Sequence, residues 1–494
     1  MTPPVPENTD LNQISEKPMP AGAHALLAPA ERPLAAATPI SWRIGIAAAV
    51  GLIGLAAYNL RDIIGLRGQS VAGVLCFFGL VAMFSTNLRI VNWRTIGFGF
   101  MLQVVLALLV LKVPAVYQAF QLLGNVMKAF IGFSDEGARF VFGNLANPGD
   151  IALNPGVEFL FMFAFKALPP ILFVSAFFTV LYHYGILQWC VRLMARAMVY
   201  LMGTSGAETL SVAANVFMGQ TEAPLIVKPY VPRMTNSELF TLMTSGMAHI
   251  SGGMMVVYIN YGADPVAVLT TCVMACPGSL YLAKLFMPET GTPETAGTVH
   301  TESEKSPYVN GIDAAAAGTT DGLRLALNVA AMLIVFIAFV AMFNALLGEI
   351  KPGLLWLGVS ADALADWPDK LSLRHLFAWL FAPAAFLMGI DAKDMGTVGS
   401  LLGAKLSINE HYAYLEMKKL LTVPGAMSDR SYKLTAFALT GFANFASIGI
   451  QLGGIGALAP NRRHDLARLG GRALFVGFVA TLLNAAIAGI LIDE

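Results

Sequence analysis

Asn215-Val-Phe-Met-Gly-Gln-Thr-Glu-Ala-Pro-Leu225 is a polar strip set between apolar stretches of a strongly hydrophobic chain. A second strip, Asn409-Glu410, follows in a similar setting, and a third, Gly441-Phe-Ala-Asn-Phe-Ala-Ser-Ile-Gly-Ile-Gln451, completes the set. A carboxylate at mid-span costs roughly 2.5–3.5 kcal/mol on insertion scales. Glu222 and Glu410 therefore need a cation, a proton or a ligand to offset them. The three strips together predict one solute and ion site at mid-membrane.

The surroundings of the strips fix the class. The chain has 494 residues, of which 56% are hydrophobic and 13% charged. Its mean hydropathy is +0.66. Soluble proteins are about 25% charged, so this is the composition of a polytopic membrane protein. The formal net charge is zero, which gives no case for nucleic acid or an acidic partner. Cys76, Cys190, Cys272 and Cys276 all sit in apolar surroundings. Cys272 and Cys276 share a helical face, and buried inert thiols are the commoner outcome than a metal pair.

A spanning helix needs about 20 mainly apolar residues. Nine stretches qualify: 43–60, 70–86, 96–113, 157–182, 236–260, 263–287, 321–347, 432–456 and 470–491. Residues 1–40, rich in proline and alanine, read as a disordered cytoplasmic tail without a cleavable signal, and 41–62 as an extra N-terminal transmembrane helix. Residues 116–133, 185–201 and 371–388 mix apolar and polar residues at helical spacing, which predicts helices along the membrane surface. Residues 288–320 form a polar loop. The Arg462, Arg463, Arg468 and Arg472 cluster reads as cytoplasmic, and nine spans then put the N-terminal tail inside and the C-terminus outside.

Two apolar segments break in the middle. Residues 204–231 break at Gln220-Thr221-Glu222 and Pro224, and 391–420 at Asn409-Glu410. Such segments suit re-entrant hairpins, whose irregular backbone is tolerated only where protein or a water-filled cavity covers it. Leu201-Met202-Gly203 recurs as Leu387-Met388-Gly389. Each copy precedes a broken hairpin and then a span with a glycine-rich interior. The charge bias sends the first hairpin in from the cytoplasm and the second from outside, so the two halves form an inverted repeat, 185–287 and 371–491. Paired broken segments of this kind are the sequence mark of a transporter's binding site.

The chemistry of the strips is that of a polar solute. Gln220, Thr221 and Glu222 combine amide, hydroxyl and carboxylate, enough to read a ring edge with mixed donors and acceptors. Glu410 suits a pair of sugar hydroxyls, and Asn444 and Ser447, three residues apart, add donors. His249 could carry a proton or simply pack with a hydrogen bond. Lys166 reads as a snorkelling charge, a partner of Glu158 or a group facing the solute path, and Met243, Met247, Met254 and Met255 as core packing. There is no nucleotide-binding P-loop or convincing metal cluster, and Ser407 and His411 beside Glu410 do not amount to a hydrolytic site, so no enzyme is expected.

Gly219-Gln-Thr-Glu-Ala-Pro-Leu225 and Gly441-Phe-Ala-Asn-Phe-Ala-Ser-Ile-Gly-Ile-Gln-Leu-Gly-Gly-Ile-Gly456 closely resemble signatures of the concentrative nucleoside transporters. Asn92-Trp-Arg94, Phe140-Val-Phe-Gly143 and Asn409-Glu-His-Tyr-Ala-Tyr414 fit in the same order, and the resemblance covers roughly residues 70 to 490. It implies an all-α, elevator-type fold with scaffold helices (70–184, and 321–370 with its loop) around the two repeats. It also implies a homotrimer in membrane lipid at the bacterial inner membrane. Carried over by motif, Gln220, Thr221 and Glu222 would contact the nucleobase. Glu410, Asn444 and Ser447 would contact the ribose, and Phe442 would line the pocket. A sodium site would map to Asn215 with backbone oxygens of Met218, His249 and Ile250. No resident cofactor is implied, only co-transported sodium. Two departures bear on coupling: the family usually has a small hydroxyl residue at His249 and Phe at His411. Gln-Thr-Glu-Ala-Pro-Leu favours sodium, His249 keeps proton coupling as the alternative, and a receptor that binds nucleoside without moving it is the rival class.

Overall fold

The computed structural model describes residues 37–143, 165, 168–297, 307–365, 367–421 and 423–493. The tail, Glu158, Lys166 and part of the polar loop lie outside them. The described residues are helical throughout, with no strand beyond one isolated bridge between Ser205 and Ala296. The helices are α1 Ile40–Asn59, α2 Arg61–Met83, α3 Trp93–Lys112, α4 Pro114–Phe142, α5 Leu168–His183, α6 Ile186–Met202, α7 Gly206–Ala214, α8 Asn236–Ala248 and α9 Gly252–Asn260. They continue as α10 Pro265–Phe286, α11 Gly311–Gly348, α12 Ile350–Trp356, α13 Leu373–Leu387, α14 Met395–Ser407, α15 Glu410–Leu421, α16 Asp429–Leu439, α17 Phe445–Leu458 and α18 Arg463–Leu491.

Nine uninterrupted spans were expected. Among the described residues seven helical segments are long and apolar enough to cross a bilayer, or eight if α5 and α6, bent by 74° to one another, count as one. The main correction is at 432–456, which is two half-helices, α16 and α17, separated by Thr440–Asn444. The span at 236–260 is likewise two half-helices, α8 and α9, separated by His249–Ser251. In each case a cap stops the ladder. Ser251 accepts from the Met254 N–H and Asn444 from the Ser447 N–H, and such N-caps start a new helix rather than continue an old one. The stretches read as surface helices appear as α4, α6 and α13, of which α4 and α6 are amphipathic and α13 is largely apolar.

The two repeats match in detail. Gly203 and Gly389 both have positive φ, 67° and 77°, where a side chain would be strained. The carbonyl just before each is held from a neighbouring helix. Thr95 Oγ1 of α3 donates to the Met202 carbonyl at 2.8 Å, and Ser70 Oγ of α2 to the Met388 carbonyl at 3.0 Å. Each hairpin's mouth is clamped to the start of the broken span after it. In the first repeat the capping boxes Ser205/Glu208 and Thr235/Glu238 are joined by Ser205 Oγ donating to Glu238 at 2.5 Å, and Lys284 of α10 pairs with Glu208 at 2.8 Å. In the second, the Ser428 N–H donates to Asp394 at 3.0 Å and its hydroxyl bonds Asp391. The first hairpin's returning limb is not an α-helix but turns and short 3-10 segments, because Pro224, Pro229 and Pro232 deny it a continuous ladder.

Hydrogen bonds between residues far apart in the sequence tie the helix ends together. Asp493, beyond α18, accepts from Arg67 at 2.5 Å and Lys112 at 2.9 Å, and the Lys112 hydrogen bond, with Arg67 beside it, holds its carboxyl below the usual range. Thr38 and Arg43 bond the Ser85 carbonyl, and Ser85 Oγ bonds the Leu285 carbonyl. The extra helix α1 rests on α2 and is otherwise exposed, with only Ala57 buried, as a lipid-facing helix should be.

Close approach sets one firm expectation. A Cβ at Gly73 of α2 would overlap the Leu387 carbonyl, whereas a Cβ at Gly97 of α3 meets nothing within 4 Å. Overpacking costs about 1–3 kcal/mol. Gly73→Ala should lower the melting temperature of the detergent-purified protein by several degrees, and Gly97→Ala should not.

Candidate solute and ion site

The hairpin tips and the two helix breaks converge. The Gly252 N–H donates to the Phe217 carbonyl at 3.0 Å, tying the first tip to the first break. The Phe442 N–H donates to the His249 carbonyl at 3.0 Å, tying the two breaks to each other. Gly441, at φ +151°, stands where a Cβ would crowd Thr481 at 2.6 Å and the Ala248 carbonyl at 3.1 Å. Four elements from distant parts of the sequence thus share one place.

On the first tip, Gln220 is buried. Its Nε2 donates to Ser447 Oγ at 3.1 Å, and its Oε1 accepts from Gln451 Nε2 at 3.1 Å. Gln451 also donates to the Met243 carbonyl at 3.0 Å. Thr221 is half-buried against Gly454, where a Cβ would meet its methyl at 2.6 Å. Glu222 is exposed and accepts from the Gly219 N–H at 2.8 Å, closing the turn of the tip. On the second tip, Glu410 begins α15 and is buried. One carboxylate oxygen accepts from the Tyr258 hydroxyl at 2.8 Å, the other from Asn444 Nδ2 at 2.9 Å. Asn444 Oδ1 in turn caps Ser447 N at 2.9 Å. Phe442 is half-buried beside them. Six of the seven predicted solute residues therefore lie on, or next to, one hydrogen-bonded network from Gln451 through Gln220, Ser447 and Asn444 to Glu410, while Glu222 closes the adjoining turn. A polar solute entering here would exchange these internal bonds for its own.

The predicted ion residues lie on the first hairpin and in the first break. Asn215 is buried at the end of α7. Its Nδ2 donates to the Ser211 carbonyl at 3.2 Å and Ser245 Oγ at 2.9 Å, while its Oδ1 has no partner. Ser211 Oγ, one turn back, is also unpartnered and buried. Orphaned buried oxygens cost about 1–3 kcal/mol each, and a hard cation is the kind of group that would use them. Met218 lies in the turn after α7, half-buried, and Ile250 is buried in the break. The His249 carbonyl already accepts from Phe442. The His249 ring is buried, with Nδ1–H donating to the Ser245 carbonyl at 2.9 Å and Nε2 lying 3.5 Å from the Cys276 Sγ.

Other residues resolve toward their plainer readings. Met243, Met247, Met254 and Met255 are core. Ser407 Oγ donates to the Gly403 carbonyl and His411 Nε2 meets the Tyr261 hydroxyl, so the two are engaged elsewhere. No cluster of metal-ligating side chains occurs among the described residues. Three participants lie outside the predicted site residues, although Gln451 ends the third strip. Tyr258 and Gln451 bond the predicted residues directly. Lys405 is fully buried in α14, donating to the Ala438 carbonyl at 2.7 Å and Thr481 Oγ1 at 2.8 Å, with Phe478 beneath its ammonium.

With this geometry in place, the likenesses to known proteins become informative. Three family profiles match in chain order: Na+ dependent nucleoside transporter N-terminus over residues 72–145, Nucleoside recognition (Gate) over 164–264, and Na+ dependent nucleoside transporter C-terminus over 267–489. An "Uncharacterized transporter" of Haemophilus influenzae is 38% identical over 86% of this chain and 97% of its own length. Human "Sodium/nucleoside cotransporter 1" is 39% identical over 85% of this chain, which spans only 63% of that longer protein. Among solved structures, CNTnw in an inward-facing substrate-bound state superposes with a TM-score of 0.78 at 36% identity, covering 86% of this chain and 98% of that one. An outward-facing state of CNTnw gives 0.79.

Proposed function

The chain belongs to the Na+-dependent nucleoside transporter family, and from that premise we propose that it takes up nucleosides across the cell membrane by sodium symport. The observation that carries this reading is the network joining both hairpin tips to both helix breaks. It presents amide, hydroxyl and carboxylate groups to a single place. Gln220, Thr221 and Glu222 would read the base, Glu410, Asn444 and Ser447 the ribose, and Phe442 would line the pocket. Tyr258 holds the Glu410 carboxylate in position.

Sodium would bind Asn215 Oδ1 with backbone oxygens of Met218, His249 and Ile250. The unpartnered Oδ1 supports an ion there, and the Gln-Thr-Glu-Ala-Pro-Leu stretch favours sodium over a proton. Coupling would arise because Asn215 ends the helix that leads into the Gln220–Glu222 tip, and the Phe217 carbonyl bonds the break beyond. Ordering one end orders the other. Moving one charge inward down the membrane potential contributes about 2.3 kcal/mol per 100 mV, enough for useful accumulation.

On this reading the protein sits in the bacterial inner membrane with the Arg462–Arg472 cluster inside. It would assemble as a homotrimer whose repeats move past a static scaffold. The scaffold would be the helices of 70–184 together with α11, and the packing of α5 against α11 supports the two acting as one unit. The exposed apolar face of α11, with Ile334 and Leu346, supports burial against lipid or a second copy. Competition tests the substrate class. Uptake of labelled uridine or adenosine should be blocked by nucleosides and hardly at all by free bases or ribose, because a site built to bond both halves rejects analogues lacking one. Full competition by ribose alone would sink the nucleoside reading.

A further inference from the structure

Gln451 is fully buried in α17, yet half of its amide has nothing to bond. Its Nε2 donates to the Met243 carbonyl of α8 at 3.0 Å and to Gln220 Oε1 at 3.1 Å, while its Oε1 has no partner among the described residues. Turning the amide over would set Oε1 against the Met243 carbonyl, acceptor against acceptor. The carbonyl therefore fixes Gln451 with its NH2 group toward Gln220. That in turn fixes Gln220. Its oxygen faces the Gln451 NH2, so its own Nε2 lies toward Ser447 Oγ, at 3.1 Å. An amide nitrogen carries two hydrogens, and Ser447 takes one. The other is left for whatever enters the site. Helix α8 makes room for the pair. Glycine inside a helix weakens it relative to alanine, but a Cβ at Gly246 would meet Gln451 Nε2 at 2.7 Å and Gln220 Cβ at 2.9 Å. Packing alone does not call for a glutamine here. A methionine would fill a similar volume without stranding a buried acceptor, which costs free energy.

We propose that Gln451 is a positioning residue for base selection: it holds the Gln220 amide so that the base meets an N–H donor, and the site therefore favours bases with an exocyclic carbonyl over those with an exocyclic amine. The inference rests on the assignment of Gln220 to the base proposed above. In a pyrimidine nucleoside the C4 substituent lies opposite the bond to ribose. With the ribose held at Glu410 and Asn444, that substituent is the part of the base that would reach the first hairpin tip. Uridine offers an oxygen there. Cytidine, of nearly the same shape, offers an NH2 group, donor against donor. Gln451 itself touches no solute in this arrangement and acts only through Gln220.

The test is the ratio of uridine to cytidine affinity in the purified full-length protein, read from the rise in melting temperature with each nucleoside, which reports binding whether or not a variant transports. The parent should prefer uridine about five- to tenfold, the worth of one neutral hydrogen bond. In Gln451→Met the Gln220 amide is free to turn either end to the base, and the ratio should fall to about one. Gly246→Ala, whose Cβ would displace the Gln451 amide, should lower the ratio in the same way from outside the site, and decides the matter if Gln451→Met does not fold. Gln220→Met should also lose the preference, and adding Gln451→Met to it should change the ratio no further, because residues that act through one another are not additive. A residue that merely packs would lower both affinities by the same factor and leave the ratio intact; that result overturns the proposal, as does a parent that binds the two nucleosides equally. A parent stabilised by neither nucleoside would strike down the underlying nucleoside reading instead, so the two failures are distinguishable.

Discussion

Replacing Glu410 by Gln should reduce nucleoside uptake about 10- to 100-fold, since hydrogen bonds to a charged group are worth about 1.5–3 kcal/mol each, while the protein still folds and reaches the membrane. The isosteric amide keeps one oxygen for the Tyr258 hydroxyl. Its NH2 group then faces Asn444 Nδ2, donor against donor. Asn444 cannot simply turn over, because its Oδ1 caps Ser447 N at 2.9 Å and losing an N-cap costs about 1 kcal/mol. The substitution therefore removes both the charge that would accept ribose hydroxyls and the bond that orients Asn444. The check is initial uptake rate against membrane abundance and melting temperature. Normal uptake by a well-expressed variant would remove Glu410 from the ribose site.

Asn215→Leu should abolish sodium stimulation or raise the half-saturating sodium concentration more than about tenfold, the equivalent of roughly 1.4 kcal/mol. Folding should suffer far less. Leu is of similar size, and the change eliminates the orphaned Oδ1, whose burial already costs stability, while giving up only the Nδ2 bonds to Ser211 and Ser245. Sodium titrations of uptake at fixed nucleoside separate an ion role from a packing role. A residue that merely packs would lower the maximal rate and leave the sodium midpoint unchanged.

Much of this was legible in the chain because polar residues in hydrocarbon are expensive. The strips at Gln220–Glu222, Asn409-Glu410 and Asn444–Ser447 stood out for that reason, and the fold brings them to one network. The repeated Leu-Met-Gly marked the glycines with positive φ, and the two carbonyls before them are held by Thr95 and Ser70. The half-helix breaks are less legible, because hydropathy averaged over a window does not register a three- to five-residue interruption. Signals for them existed: Ser251 and Asn444 are good N-cap residues, each in a glycine-rich or small-residue setting. Tyr258 gave no signal, since a tyrosine in an apolar helix reads as packing until its hydroxyl is seen on Glu410. Lys405 was hidden for the opposite reason. One lysine in an apolar limb looks like a snorkelling charge, and only the fold shows Ala438 and Thr481 closing over it.

The most direct test of cation-driven nucleoside symport is uptake of uridine and adenosine into proteoliposomes under imposed gradients. Accumulation should require an inward sodium gradient, rise with an inside-negative potential, and be indifferent to a pH gradient imposed without sodium. Accumulation driven by the pH gradient alone would contradict the sodium site at Asn215.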